Sequence, residues 1–176
     1  MIIDALNQFL RGYIVNPSLS PNGDPIGGTA GFLKILQKLC REVKPDKVVI
    51  CWDGKGGSRK RKLVNKNYKE GRKPLRLNRD IRTLTAEEEL QNKIWQQMRL
   101  MEYLNNFPVT QLVFDEVEAD DVISFVAQMP DFKGWQKVIV SSDKDFFQLL
   151  DSETLAYRPT QHEILNKNMI VEKFGI

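Results

Sequence analysis

Histidine is nearly missing from this chain: His162 is the only one in 176 residues. That excludes a histidine-rich zinc site. Cysteine is almost as scarce. Cys40 and Cys51 show no metal-ligand spacing and read as reduced thiols of a cytosolic protein. No apolar run approaches the roughly 18 residues of a membrane span. The opening MIIDALNQFLRGY lacks the basic region, long apolar stretch and small-residue cleavage site of a secretory signal. A cytoplasmic location and no membrane partner are therefore expected. Gly27-Gly28 and Gly54-Lys55-Gly56-Gly57 do not follow the Walker pattern of nucleotide-binding loops. Asp4 is followed two residues later by Leu6, not by the second acid of an aspartyl-phosphate phosphatase.

What is present is uneven charge. The net charge is only +3, yet Lys55 to Arg82 carries twelve basic residues against Glu70 and Asp80. A block of ten net positive charges thus sits on a remainder of net charge −7. That distribution suits a protein that holds a polyanion and acts on it with carboxylates. The length fits one domain, and 41% hydrophobic residues supply one core.

Short apolar segments alternate with amphipathic ones. MIIDA, KVVICWD, VTQLVF and KVIVSS read as buried strands, and TLAYRP with HEILN as a small hairpin. A loop with Pro17, Pro21, Gly23 and Pro25 follows the first strand. Helices are predicted from about Thr29 to Val43, from a Thr85/Glu88 capping box to Asn105-Asn106, from Glu118 to Met129, and from Met169 onward. The second of these is predicted to bury Leu90, Ile94, Trp95, Met98, Met101 and Leu104 on one face. The pattern predicts an α/β fold, a mostly parallel central sheet flanked by helices. Residues 54–84 are too long and too polar for an ordinary connection and form a candidate insertion.

The acids fall where such a sheet places a site, at the carboxyl ends of its strands. Asp4 ends the first strand and Asp53 the second. Glu118, Asp120 and Asp121 follow the third, and Asp143 and Asp145 the fourth. Taken singly, each has an ordinary use: a helix-dipole partner, an N-cap, a turn residue. Taken together they form a set of hard oxygen donors suited to Mg²⁺ or Mn²⁺. Two such ions activate water and stabilise the in-line transition state of phosphoryl transfer.

These motifs carry a resemblance. IIDALN at Asp4, VVICWD at Asp53, SRKRKLVNKNYKEGR from Ser58, EADDVIS from Glu118 and SSDKDFFQLL from Ser141 resemble the N-terminal catalytic domain of the 5′-nuclease, or flap endonuclease, family. That family includes bacteriophage 5′–3′ exonucleases and RNase H enzymes and the 5′-nuclease domain of bacterial DNA polymerase I. The resemblance implies a PIN-like core with a basic helical arch, two Mg²⁺ or Mn²⁺ ions, and the seven acids as ligands or as supports of ligands. It implies that Lys69 and Arg72, in a Tyr68-Lys69-x-x-Arg72 element, touch the scissile phosphate. Arg59, Lys60, Lys62, Lys66, Tyr68, Lys73, Arg76 and Arg79 are the expected nucleic-acid contacts. The implied substrate is DNA or an RNA–DNA hybrid with a 5′ flap or end, cut by a monomer in the cytoplasm, that of an infected host if the protein is a phage one.

Two departures stand out. Ala5 replaces the glycine usual after the first Asp, and the chain stops at Gly175-Ile176, before the family's helix–three-turn–helix element. The expectation is a single catalytic domain over 1–176, with that element absent or supplied by a second polypeptide. Two alternatives stay open: a PIN-like ribonuclease, and a nucleic-acid-binding module without cleavage. The long basic segment argues against the first. Carboxylates at every strand end argue against the second, because a pure binder gains nothing from negative charge beside a polyanion.

Overall fold

The computed structural model describes residues 1–58 and 84–175. These fall into two compact units, one of residues 1–5, 46–58 and 110–175, the other of residues 6–45 and 84–109.

The first unit is built on a six-stranded sheet: β1 (Ile2–Asp4), β2 (Val49–Cys51), β3 (Thr110–Leu112), β4 (Lys137–Val140), β5 (Thr154–Arg158) and β6 (Glu163–Leu165). The strand order is β3-β2-β1-β4-β5-β6. The first five strands run parallel, with Asp4 beside Cys51 and Ile3 between Ile50 and Val140; β6 pairs antiparallel with β5 as the predicted hairpin. Chain order runs outward from β1 through β2 to β3, then returns to place β4 on the other side of β1. The β1/β4 seam is therefore the switch point at which open α/β sheets form their crevice.

Alternation along the strands sets the core. Ile2, Val49, Cys51 and Ile139 pack with Ala119, Val122, Ile123, Val126 and Ala127 of one helix (Ala119–Gln128) and with Phe146. A second cluster joins Phe147, Leu150 and Ala156 to Leu165 and to Ile170 of the last helix (Lys167–Phe174). Phe125, in the same helix as Val122 and Val126, is 69% exposed.

The second unit holds helices α1 (Ala5–Val15, whose first residue belongs to the sheet unit), α2 (Gly27–Val43) and α3 (Ala86–Leu104). In the same chain order the two helices of the sheet unit are α4 (Ala119–Gln128) and α5 (Lys167–Phe174). The sequence reading has no helix between the first strand and the Pro17 loop. The structure corrects this with α1, and the reason it is hard to see is Gly12. A Cβ there would lie 2.8 Å from the Gly27 carbonyl oxygen, and one on Gly31 would lie 2.7 Å from the Gly12 Cα. A mid-helix glycine, costly by propensity, allows this close approach.

The capping box that starts α3 forms as predicted: the Thr85 hydroxyl accepts the Glu88 N–H at 3.3 Å, and the Glu88 carboxylate accepts the Thr85 N–H at 2.7 Å. Its predicted apolar face holds at Leu104 but not at Leu90, Ile94, Trp95 or Met98, which are exposed, whereas Gln96 and Leu100 are buried. Gln96 turns inward because α2 has no side-chain cap of its own. The Gln96 Oε1 accepts the N–H groups of Gly28 at 2.8 Å and Thr29 at 3.2 Å.

Candidate metal-binding carboxylate site

All seven acids named from sequence lie at the carboxyl edge of the sheet or on the elements that leave it. Asp4 is the last residue of β1 and its side chain is buried. Asp53 stands two residues beyond β2 and is exposed. Glu118 is the buried N-cap residue of α4, with Asp120 and Asp121 in that helix's first turn. Asp143 and Asp145 leave β4, Asp143 as N-cap of a 3₁₀ turn over Lys144–Leu149.

Local packing holds these positions. The Asp53 Oδ1 accepts the Ala119 N–H at 2.9 Å, which ties the end of β2 to the start of α4. Behind it, the Trp52 indole donates to the Gln111 Oε1 at 3.0 Å. Gly54 donates its N–H to the Val117 carbonyl at 3.0 Å. On the β4 side, the 3₁₀ turn is pinned by Phe146 in one core cluster and Phe147 in the other. Asp143 Oδ1 accepts the Asp145 N–H at 2.9 Å.

A residue to which sequence reasoning gives no role joins the two sides. Ser141 is buried just past β4, with its N–H bonded to the Tyr157 carbonyl at 3.2 Å. Its hydroxyl donates to Asp4 Oδ2 at 2.9 Å and accepts the Asp143 N–H at 3.1 Å. The signal for it is a hydroxyl residue two before Asp143, legible only once β4 is placed beside β1.

The donor set fits a hard divalent cation in kind: carboxylate oxygens on one edge, two of the acids, Asp4 and Glu118, buried there. Among the described residues no three His, Cys, Asp or Glu side chains form a group that could hold a metal ion. A closed cage is not required. Mg²⁺ keeps several waters and uses one or two carboxylates together with substrate phosphates. Lys69, Arg72 and the expected contacts Arg59, Lys60, Lys62, Lys66, Tyr68, Lys73, Arg76 and Arg79 lie outside the described residues. Among the described residues no helix is long and apolar enough to cross a membrane.

The profile described as "5'-3' exonuclease, N-terminal resolvase-like domain" matches residues 1–175. The chain belongs to that family. It is 28% identical over 176 residues to a 5′-3′ exonuclease of Aquifex aeolicus, covering 99% of this chain and 56% of the relative. It is 30% identical over 178 residues to the flap endonuclease Xni of Vibrio vulnificus, covering all of this chain and 62% of the relative. It is also 27% identical to a DNA polymerase I of Caldicellulosiruptor bescii, of which it covers 20%. The chain thus spans little more than half of the exonuclease relatives it matches. Among solved structures, the bacteriophage T5 D15 protein co-crystallised with metal ions has the same fold, with a TM-score of 0.71 at 17% identity, over all of this chain and 60% of that one. A second structure of that T5 flap endonuclease, a pseudo-enzyme-product complex with DNA and metal ions, matches equally well.

Proposed function

We propose that this chain is the catalytic domain of a 5′-nuclease that uses two divalent ions, Mg²⁺ or Mn²⁺, to hydrolyse phosphodiester bonds near 5′ ends of DNA or RNA–DNA hybrids. The observation that supports the reading is that the seven acids stand at the ends of four parallel strands or on the elements that leave them, in a chain of the 5′-3′ exonuclease family. The metal-bound and DNA-bound T5 structures support it.

Bound divalent ions would polarise the phosphate and activate water there. Asp4, Asp53, Glu118, Asp120, Asp121, Asp143 and Asp145 are the residues that would hold them. The protein's own share is preorganisation. Asp53 and Asp143 are each fixed by a backbone N–H, and Asp4 by the Ser141 hydroxyl. Each of these bonds engages one oxygen of its carboxylate and so sets the direction of the other. Lys69 and Arg72 would bring positive charge to the scissile phosphate, where charge grows in the transition state. The rest of the basic segment would hold the nucleic-acid backbone, with affinity falling steeply as salt rises.

The test is cleavage of a 5′-flap duplex and a single-stranded RNA by the 176-residue chain, with Mg²⁺, Mn²⁺ or EDTA. Metal-dependent cutting near the 5′ end of the flap is expected. Asp143→Asn should abolish cutting and keep binding. Lys69→Ala should lower the single-turnover rate by ~10²-fold if its contact strengthens in the transition state. Arg79→Ala should mainly weaken binding. Metal-independent cutting, or cutting confined to single-stranded RNA, would overturn the assignment. Tight binding without cutting under all conditions would place the chain among the non-enzymatic binders.

A further inference from the structure

We infer that Ser141 is a positioning residue that sets the divalent-cation affinity of the carboxylate edge, by locking the Asp4 carboxylate to the loop that carries Asp143 and Asp145. The inference rests on the proposed metal-dependent reading of that edge, and on a chain of hydrogen bonds across the sheet's switch point. Asp4 ends β1 and Ser141 follows β4, its neighbour in the sheet. The two residues are 137 positions apart in sequence, yet Ser141 Oγ lies 2.9 Å from Asp4 Oδ2.

The hydroxyl has one proton to give and lone pairs to receive. It gives the proton to Asp4 and receives the Asp143 N–H at 3.1 Å. Asp143 in turn receives the Asp145 N–H on its Oδ1 at 2.9 Å. The relay Asp4–Ser141–Asp143–Asp145 thus runs through directed bonds and links three of the proposed ligands. Ser141 is itself held. Its side chain is buried, and its own N–H is engaged by Tyr157 of β5. A buried carboxylate with a fixed donor on one oxygen presents the other oxygen in a set direction, as ligand-supporting hydrogen bonds do in metal sites.

Removing the hydroxyl has two local effects. Asp4 loses this donor in a buried setting, and the Asp143 N–H loses this acceptor, so the two sides of the site are uncoupled. Losses of this kind typically weaken metal affinity by about 10–100-fold. A side chain that merely fills space would show no such effect, and threonine, which keeps the hydroxyl, should restore most of the affinity.

The experiment is a titration of Mn²⁺ into the full chain without nucleic acid, read by the electron paramagnetic resonance signal of free Mn²⁺, for wild type, Ser141→Ala and Ser141→Thr. Flap cleavage is measured in parallel. A loss of about 10–100-fold in Mn²⁺ affinity in Ser141→Ala is expected, with Ser141→Thr near wild type. Equal affinity in wild type and Ser141→Ala would overturn the inference. So would equal losses in the alanine and threonine variants. If Ser141→Ala does not fold, Ser141→Cys takes its place. Its weak donor should leave an intermediate affinity, and wild-type affinity there would overturn the inference. Wild-type protein that binds no Mn²⁺ would sink the metal-dependent reading and this inference together. Wild-type protein that binds Mn²⁺ in a Ser141-dependent way but cuts nothing would remove the nuclease reading and leave Ser141's role standing.

Discussion

Asp53 Oδ1 lies 2.9 Å from the backbone nitrogen of Ala119, so one proposed ligand also caps the first turn of the helix that carries Asp120 and Asp121. Charge and hydrogen bond can be separated at this position. Asn at 53 keeps a carbonyl oxygen for the Ala119 N–H and loses the negative charge. Ala loses both. Asp53→Asn should therefore retain wild-type stability and lose cleavage, whereas Asp53→Ala should lose cleavage and about 1 kcal/mol of stability. Urea unfolding beside single-turnover cleavage would check this. Equal stability in the two variants would show that the bond to Ala119 contributes nothing.

Gly54, next in the chain, is required by space. A Cβ there would sit 1.7 Å from the Phe114 carbonyl oxygen and 2.6 Å from its carbon. Both belong to the turn that leads from β3 to α4, so backbone would have to move. Gly54→Ala should cost about 2 kcal/mol or more, in the range of overpacking strain, and should displace Asp53 from Ala119. Thermal unfolding would measure the first effect. A melting temperature matching wild type would refute the packing argument.

Gln96 is fully buried and serves as the cap that α2 lacks. Its Oε1 receives Gly28 and Thr29, its Nε2 donates to Asn92 Oδ1 at 2.7 Å, and its backbone carbonyl receives the Thr29 hydroxyl at 3.1 Å. Gln96→Leu nearly keeps the volume and takes the acceptor from two buried N–H groups. It should lower stability by about 2–6 kcal/mol, at about 1–3 kcal/mol for each of the two unsatisfied groups. Gln96→Glu keeps the acceptor and should cost less. If leucine were tolerated as well as glutamate in urea unfolding, the trans-cap would be unimportant.

These residues also show what the sequence could and could not reveal. The carboxylate edge was legible because a buried parallel strand reads as an apolar run, and an acid at its end is visible without knowing its neighbours. The Thr85–Glu88 box was legible because both partners lie within one turn. Ser141 was opaque because its meaning depends on Asp4, and Gln96 because its partners Gly28 and Thr29 lie in another helix. The inward turn of Gln96 also explains the misplaced face of α3: apolar spacing pointed to Leu90, Ile94 and Trp95, while the contact with α2 selected a polar side chain. Gly12 hid α1 for the same kind of reason, since its value lies in a contact with Gly31.

Tyr13 gives a pH test of the helical unit. Its hydroxyl donates to the Glu89 carbonyl at 3.0 Å. Burial first, and then the Glu89 charge, push the phenol up to about 12 from its ordinary 10.0. The folded state therefore holds this proton more tightly than the unfolded chain does. The resulting stability is fully present below about pH 10 and is lost as pH rises from there through about 12. Tyr13→Phe removes both the hydrogen bond and the titration. At neutral pH the variant should be less stable than wild type by about 1 kcal/mol. Above about pH 10 wild type should lose stability faster than the variant, so the gap should narrow. Urea unfolding of both proteins at neutral pH and at about pH 9 and 10.5 measures that gap, and the comparison cancels the lysines and the other tyrosines that also titrate there. A gap that stays constant across that range would mean that the Tyr13 phenol ionises equally readily in the folded and unfolded chain, contrary to its burial against Glu89.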